Sequence, residues 1–481
     1  MESSSICSAS HCTKFQRCIT CASIAYILLP NLFFLLGWVE SWVAVPLCVL
    51  LTICSWKLWQ QSKPTCQRTC PNLKYLLFAL LLAVLYVYRM GFNGDVPQPG
   101  DFIVRTPIYN TLIHSAWPIF SERGEYFVYY HAYVLPPAWI ASILSFIPSW
   151  LILAAWVYLG ITLAITCMFF RCGRATAIVF GLILFAGPLQ ALFLHDNVFL
   201  AHHFPFEPLV RFCCAHFPLG APFPGFYDQC ANTYNHGINI FLFFSLAYGR
   251  LLSRRSLALL SPLLVVVSPL GAVAVLIYLL YLMVAPRFRK ELYSLFKQPM
   301  LYVGILLIAL LGIYFSSGEG SVIQPIWKRF DAQDSLPIYL VTIACILIPL
   351  FLFGWRYRQS AAFIAALTIA LVTPIVWVGP TNNELLFKSA ILTSFFIPIF
   401  AYKTFCYAGT LKRIAMIVVF VICSYNFIYA SYCAARDFST SDEGRAANMH
   451  DEWHGSLNHP EHYFYSRFWG ENVPVLYKGR K

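Results

Sequence analysis

Long apolar runs alternate with short polar connections along almost the whole chain. Most runs hold about 16–20 residues, close to the ~20 that a helix needs to cross ~30 Å of hydrocarbon. They lie at about 22–40, 42–58, 74–92, 132–148, 150–170, 175–194, 237–252, 257–268, 270–285, 300–316, 335–355, 361–378, 386–402 and 414–432. The alternating ~10-residue segments of a membrane barrel are absent from this pattern. The pattern therefore predicts an all-α integral membrane protein.

The basic residues sit mainly in six of the connections. These connections are QSKPTCQRTCPNLK, RCGR, RLLSRR, PRFRKELYSLFK, WRYR and KTFCYAGTLKR. Positive charge concentrates in cytoplasmic connections of membrane proteins. All six can face the cytoplasm if the Pro-containing run at 132–148 is re-entrant or interfacial. This predicts 13 crossings (12–14 as the range), with the N-terminus inside and the C-terminal tail outside. Ser268-Pro269 further predicts a turn between two short helices, with a kink in one helix as the alternative.

Three large polar segments then lie on the external face. They are 93–131, 195–236 and the tail at 433–481, joined by shorter loops at 317–334 and 379–388. The first two are rich in aromatic residues and proline, which excludes flexible linkers. We expect a single transmembrane domain at 1–432 whose external loops cap an outward-facing cavity, with the tail packed on it.

Composition and charge support this class of protein. Hydrophobic residues make up 59% of the 481 residues and charged residues 11%, against roughly 25% charged in soluble domains. The formal net charge of +12 follows from the cytoplasmic connections, so nucleic acid is not expected as a partner. No small-residue cleavage site follows the first apolar run, so that run is expected to remain. We expect a multi-pass protein of a bacterial cytoplasmic membrane.

The first two external segments carry the candidate chemistry. Carboxylates can accept a proton from an acceptor hydroxyl or bind a divalent metal, and arginine or lysine can hold a phosphate. The alternative is that external loops are simply polar and solvated. The candidate residues are Asp95, Asp101, Arg105, Asp196, His202 and His203.

Several stretches resemble the GT-C glycosyltransferase superfamily. GDFIVRTPIYNTLIHSAWPI followed by YFVYYHAYVLPPAW resembles a group of largely uncharacterised bacterial multi-spanning proteins. That group shows an acidic residue, a basic residue, a Trp-Pro pair and a Tyr-rich turn before a Leu-Pro-rich helix. SPLGAVAVLIYLL, NNELLFKSAILTSFFIP and YFYSRFWGENVPVLYK resemble the same group in the same order. The resemblance thus touches scattered points over most of the chain.

The resemblance implies a GT-C-like fold and a sugar transfer at the outer membrane face. Its donor would be a sugar on a polyprenyl phosphate, and its acceptor a saccharide or another envelope molecule. Asp101, with Asp95 as the alternative, would be the base or a metal ligand. Asp196 would share a metal, Mg²⁺ or Mn²⁺, with Asp101. His202 and His203 of the same external segment are further candidate ligands by residue type. Arg105 and Lys388 would hold the phosphate, although Lys388 stands where the related group has arginine.

Three other functions remain open. A transporter or flippase for lipid-linked saccharides predicts charged groups near several helix centres and repeat symmetry, and neither is evident here. A polysaccharide polymerase or ligase usually has its richest external loop late in the chain, whereas here it comes early. A non-catalytic envelope protein with a GT-C fold is the third.

Overall fold

The structure is a computed structural model, and it describes most of the membrane-embedded chain. The described residues are 9–62, 73–92, 102–120, 124–185, 229, 233–284, 293–317, 323–329, 332–379, 383–421, 424, 469–470, 473 and 476–479. Within them α-helices dominate, and the strands are only two or three residues long.

The helices follow the apolar runs. The first half contains α1 (Ala9–Trp38), α2 (Ser41–Gln60), α3 (Leu73–Arg89), α4 (Phe102–His114), α5 (Leu135–Ile143), α6 (Ser149–Cys172) and α7 (Thr176–Phe185). The second half contains α8 (Tyr234–Tyr248), α9 (Arg254–Leu260), α10 (Pro269–Val284), α11 (Pro299–Ser316), α12 (Ile326–Arg329), α13 (Ala332–Gly354), α14 (Ala361–Val372), α15 (Glu384–Ser389) and α16 (Ile391–Tyr407). Residues 410–421 are also helical.

The described helices make this a multi-pass membrane protein. Five helical segments are long and apolar enough to cross a bilayer: Thr13–Trp38, Ser41–Gln60, Ser149–Leu184, Pro299–Ser316 and Glu384–Tyr407. Four shorter apolar helices accompany them. One of these, Ala132–Ile143, is about 18 Å long, too short for ~30 Å of hydrocarbon. The count of thirteen crossings stays a prediction.

Ser268 and Pro269 separate two helical segments. A 3-10 turn at Ser261–Leu264 follows α9, residues 265–267 form a turn, and α10 begins at Pro269. Proline suits the first position of a helix because that position needs no N–H donor. The predicted turn between two short helices is therefore confirmed. The Asn31 side chain of α1 donates to the Leu263 carbonyl at 2.9 Å, which fixes this hairpin against the bundle.

The bundle has two distinct ends. Helix α8 runs about 21 Å from Tyr234 to Tyr248, so these residues mark opposite ends. We call them the Tyr234 end and the Tyr248 end. Arg171, Arg250, Tyr357 and Lys403 line one cavity at the Tyr248 end. Four of the basic connections therefore meet at one end of the bundle, as the charge pattern predicts.

Part of the C-terminal tail packs on the Tyr234 end. Strand Tyr126–Phe127 pairs antiparallel with Trp469–Gly470. The Lys478 N–H donates to the Trp38 carbonyl at 2.9 Å, where α1 ends. Tyr477 is buried and donates its hydroxyl to the Leu310 carbonyl of α11 at 2.6 Å. The tail thus connects the α1–α2 corner, the 124–131 segment and α11.

Candidate functional site

Two of the predicted site residues lie in the described part of the chain, and both are at the Tyr234 end. Arg105 belongs to α4 and Lys388 to α15. They are 6% and 5% exposed, so both cations are held inside the protein. A buried charge needs a partner or a ligand. The remaining predicted residues, Asp95, Asp101, Asp196, His202 and His203, lie outside the described residues.

Asn383 fixes the short helix that carries Lys388. Its side chain accepts from the Leu386 N–H at 3.2 Å and so caps α15. Its amide nitrogen donates to the carbonyls of Thr373 and Val376, at 3.2 and 3.1 Å. One buried asparagine therefore ties the end of α14 to the start of α15. This bond network fixes the backbone that carries Lys388.

Lys388 has an acidic neighbour on its own helix. Its ammonium lies 3.0 Å from the Glu384 carboxylate, one turn earlier. The Glu384 side chain is about one third exposed, whereas that of Lys388 is 5% exposed. The pair gives the lysine a counter-ion in the ligand-free protein, and Glu384 is the partner whose side chain is more exposed.

Arg105 lies over an aromatic ring of another helix. Its guanidinium carbon is 5.5 Å from the centre of the Tyr234 ring, a cation–π contact. Tyr234 in turn lies 6.0 Å from the Tyr133 ring. Guanidinium stacks well on aromatic faces and keeps its N–H groups directed along its own plane. The arginine is therefore positioned by α8 and by the segment that precedes α5.

Two side chains connect the Arg105 and Lys388 regions. Burial raises the pKa of Tyr130 well above its usual value, and the nearby Glu384 carboxylate raises it further, while Arg105 opposes the shift. The charges of Lys388 and Arg105 both act on His236. The Tyr130 and His236 rings lie 4.3 Å apart. Arg105 therefore acts on both rings of this pair, and Lys388 acts on His236.

The helix that carries His236 also contains buried amides. Asn235 and Asn239 are one turn apart on α8, and both are almost completely buried. Among the described residues, neither Oδ1 nor Nδ2 of Asn239 has a hydrogen-bond partner, and neither does Oδ1 of Asn235. Buried polar atoms almost always bond to protein or to ordered water. Open amide groups on the helix that carries His236 indicate a place for water or for a polar ligand.

A layer of aromatic rings adjoins the cluster. Tyr314 of α11 bonds through its hydroxyl to the Tyr129 N–H and to nearby carbonyls of the 127–129 segment. The His131 ring lies 4.4 Å from the Trp38 ring and 1% of its surface is exposed. Burial lowers the pKa of His131 to about 3, so the imidazole is neutral in this layer. The layer fixes the backbone that carries Tyr129 and Tyr130.

Gln229 ties the segment before α8 to α15. Its side-chain amide donates to the Phe387 carbonyl at 2.5 Å, next to Lys388. Its own carbonyl accepts from the Thr233 N–H at 2.9 Å. The start of α8 and the turn that carries Lys388 are thus held together, and His236 and Lys388 keep a fixed relation.

Sequence reasoning did not identify His236, Asn235, Asn239 or Tyr130 as site residues. The signal was present in TYNHGIN, where three strongly polar side chains open an otherwise apolar run. Spacings of three and four put Asn239 on the same helix face as His236 and Asn235. Such a face at the start of a membrane helix predicts a polar site rather than lipid contact.

No metal centre is evident in the part of the chain that the structure describes. Within it, no group of three or more His, Cys, Asp or Glu side chains is arranged to hold an ion. The predicted ligands Asp101, Asp196, His202 and His203 are outside those ranges.

The arrangement suits an anionic group that has left water. Arg105 and Lys388 supply positive charge, and the amides of Asn235 and Asn239 supply hydrogen bonds. Glu384 pairs with one of the two cations, Lys388, in the absence of a ligand. Comparison of the chain with protein-family models, with curated proteins and with solved structures yields no match.

Proposed function

We propose that the protein is a membrane glycosyltransferase of the GT-C type that uses a sugar linked to a polyprenyl phosphate as its donor. The observation that carries this proposal is the placement of Arg105 and Lys388. The two come from distant parts of the chain, both are buried, and the charges of both act on His236. Two buried cations near one ring, with open amide groups on the helix that carries it, support the binding of a phosphate.

In the proposed reaction, an acceptor hydroxyl attacks the anomeric carbon of the donor sugar. The new bond joins the acceptor oxygen to that carbon, and the bond from the carbon to the phosphate oxygen breaks. The phosphate leaves with the bonding electron pair, and Arg105 and Lys388 stabilise its charge. Asp101, or Asp95 in its place, takes the proton of the acceptor hydroxyl. This reaction is expected at the outer membrane face.

The implied metal would be held by residues outside the described ranges. Asp101 and Asp196, with His202 and His203, offer the oxygen and nitrogen ligands suited to Mg²⁺ or Mn²⁺. Such an ion would polarise the donor phosphate. The part assigned to Arg105 and Lys388 is the binding of the phosphate itself.

Transport of lipid-linked saccharides is the second candidate, and one observation favours it. The interrupted stretch between α9 and α10 places non-helical backbone at residues 265–268, and Val267 lies beside His236. Val267 and Ser268 are almost completely buried. Broken helices around a polar site are common in secondary transporters. Such a protein would move the intact donor across the bilayer.

Reconstituted proteoliposomes distinguish these functions. The protein is supplied with polyprenyl-phosphate hexoses and an envelope saccharide extract, and free polyprenyl phosphate is measured. Transfer releases polyprenyl phosphate, whereas transport leaves the donor intact and changes only its leaflet. We expect release by the wild type, loss in Asp101→Asn and in Arg105→Gln with Lys388→Gln, and retention in the exposed control Lys328→Gln. Wild-type turnover by a folded Asp101→Asn protein contradicts the assigned base.

A further inference from the structure

A second basic site lies at the opposite end of the bundle. A cavity of about 780 Å³ opens there among α6, α8, α9, α10, α14 and α16. This volume is within the 300–1,000 Å³ typical of ligand pockets. Four cationic side chains line it: Arg171, Arg250, Arg254 and Lys403. None of the described residues that line it is acidic. The charge of the described lining residues is therefore positive, which favours an anionic ligand.

Two of the cations share one aromatic ring. The Arg171 guanidinium lies 4.9 Å and the Lys403 ammonium 5.0 Å from the centre of the Tyr248 ring. Arg171 also donates to the Tyr248 carbonyl at 3.1 Å. This bond gives a hydrogen-bond partner to a carbonyl in the last turn of α8. Lys403 is 5.7 Å from the ring of Tyr357 as well. The rings hold the two like charges close together, and an anion between them would relieve their repulsion.

Arg250 occupies a backbone conformation that normally belongs to glycine. Its φ angle is +57°. The Leu251 N–H donates to the Leu246 carbonyl, and the Arg250 N–H to the Ala247 carbonyl, at 3.1 and 3.2 Å. These two bonds define a Schellman motif, in which glycine usually takes the position of Arg250. An arginine kept at a strained position beside a cavity points to a function for its charge.

Glycine is present in this turn, but one residue earlier, where packing requires it. A Cβ on Gly249 would overlap the Cys167 carbonyl oxygen of α6. Gly249 therefore allows the close approach of α8 and α6, and Arg250 accepts the left-handed conformation. In this turn Gly249 meets the packing requirement, and the next position is occupied by the cation Arg250.

The rest of the cavity wall is apolar and aromatic. Leu257, Leu282, Phe396, Ile399 and Phe400 form part of it. Phe396 stacks on Tyr278 with ring centres 5.5 Å apart. Ser360 caps α14 at the rim, and the positive end of that helix adds to the field. A positively charged end and an apolar wall suit an amphiphile with a phosphate headgroup.

We propose that this cavity binds a phosphate group at the face of the membrane predicted to be cytoplasmic, at a site separate from the Arg105 and Lys388 cluster. The phosphate is carried by a lipid headgroup or by a soluble phosphorylated molecule. Lys403 and Lys388 are fifteen residues apart along α15 and α16, about 22 Å, so one phosphate cannot reach both. The inference does not depend on the proposed sugar transfer.

The test measures binding to the full-length protein in detergent, by native mass spectrometry and by thermal unfolding. The probes are dioctanoyl phosphatidic acid, inorganic phosphate and, as the neutral control, dioctanoyl phosphatidylcholine. Preference for phosphatidic acid that inorganic phosphate does not compete away identifies a lipid source. Direct binding or competition by inorganic phosphate identifies a soluble source. Binding of neither anion in preference to phosphatidylcholine overturns the proposal.

Arg250→Gly separates lost binding from lost folding. Glycine removes the charge and suits the left-handed conformation, so the ligand-free midpoint of unfolding is expected to stay the same or rise. The affinity for the anionic probe is expected to fall at least about tenfold. Arg174→Gln, on the exposed face outside the cavity, and Lys388→Gln are expected to leave that Arg250-dependent binding unchanged. Wild-type affinity in Arg250→Gly overturns the site.

Discussion

The Lys388 ammonium lies 3.0 Å from the Glu384 carboxylate on the preceding turn of α15. The Glu384 side chain is 33% exposed and that of Lys388 is 5% exposed. An incoming phosphate would compete with Glu384 for a lysine that is already held in place.

Glu384→Gln removes this competition. We expect the affinity for polyprenyl phosphate to rise several-fold, because Lys388 loses its internal counter-ion. We expect the free energy of unfolding to fall by about 1 kcal/mol, since the lost pair is partly exposed and screened by solvent. Native mass spectrometry gives the affinity and chemical denaturation gives the stability. A drop in affinity with normal folding would show that Glu384 contacts the ligand rather than competing with it.

The buried His131 predicts how stability depends on pH. The pKa of His131 is lowered to about 3 by burial, against about 6.5 in the unfolded chain. Its contribution to stability is therefore complete above pH 6.5 and is lost as the pH falls from 6.5 towards 3. Between pH 7 and pH 4.5 this amounts to about 2 kcal/mol. His131→Gln should flatten the measured change in unfolding free energy, and an unchanged slope would contradict the burial of a neutral imidazole.

Asn383→Ala should destabilise the protein more than the loss of an ordinary helix cap. Loss of a cap costs about 1 kcal/mol. Asn383 also donates to the carbonyls of Thr373 and Val376, which would be left buried without this donor. We expect a total of about 2–3 kcal/mol from denaturant unfolding. Ser360→Ala, which removes only a cap bond to Phe363, is the matched comparison at about 1 kcal/mol. Equal effects would refute the extra role of Asn383.

Gly249→Ala tests the close approach of α8 and α6. The new methyl group would overlap the Cys167 carbonyl oxygen, so we expect a loss of about 1–3 kcal/mol. Gly312 lies within α11, and a Cβ there meets nothing within 4 Å. Gly312→Ala should therefore be neutral or stabilise by up to about 1 kcal/mol. Thermal unfolding of both variants in the same detergent makes the comparison, and a neutral Gly249→Ala would show that the helices can separate without cost.

The sequence predicted the helical membrane class, the turn at Ser268-Pro269 and the grouping of basic connections at one end. Each of these depends on a local pattern: apolar run length, the missing N–H of proline, and charge sorting across a membrane. The apolar pattern also treated 237–252 as a plain hydrophobic helix. That reading did not connect the run with Asn235 and His236, whose polar face begins just before it.

The relation between Arg105 and Lys388 could not be derived from spacing. They lie on separate helices, and their shared electrostatic effect on His236 depends on how α4, α8 and α15 pack. Arg250 illustrates a further limit, because its left-handed conformation follows from the packing of Gly249 against α6. No local pattern in YGRLL reveals that packing.

Binding of polyprenyl phosphate to the Tyr234 end tests the central claim most directly. Native mass spectrometry would compare the wild type with Lys388→Gln, Lys388→Arg, the Arg105→Gln and Lys388→Gln double variant, and Arg250→Gly. We predict at least about tenfold weaker binding in Lys388→Gln and further weakening in the double variant. Lys388→Arg should retain affinity. Arg250→Gly should keep the part of the polyprenyl phosphate binding that Lys388→Gln removes. Equal binding by the wild type and a folded double variant would contradict the assigned phosphate site.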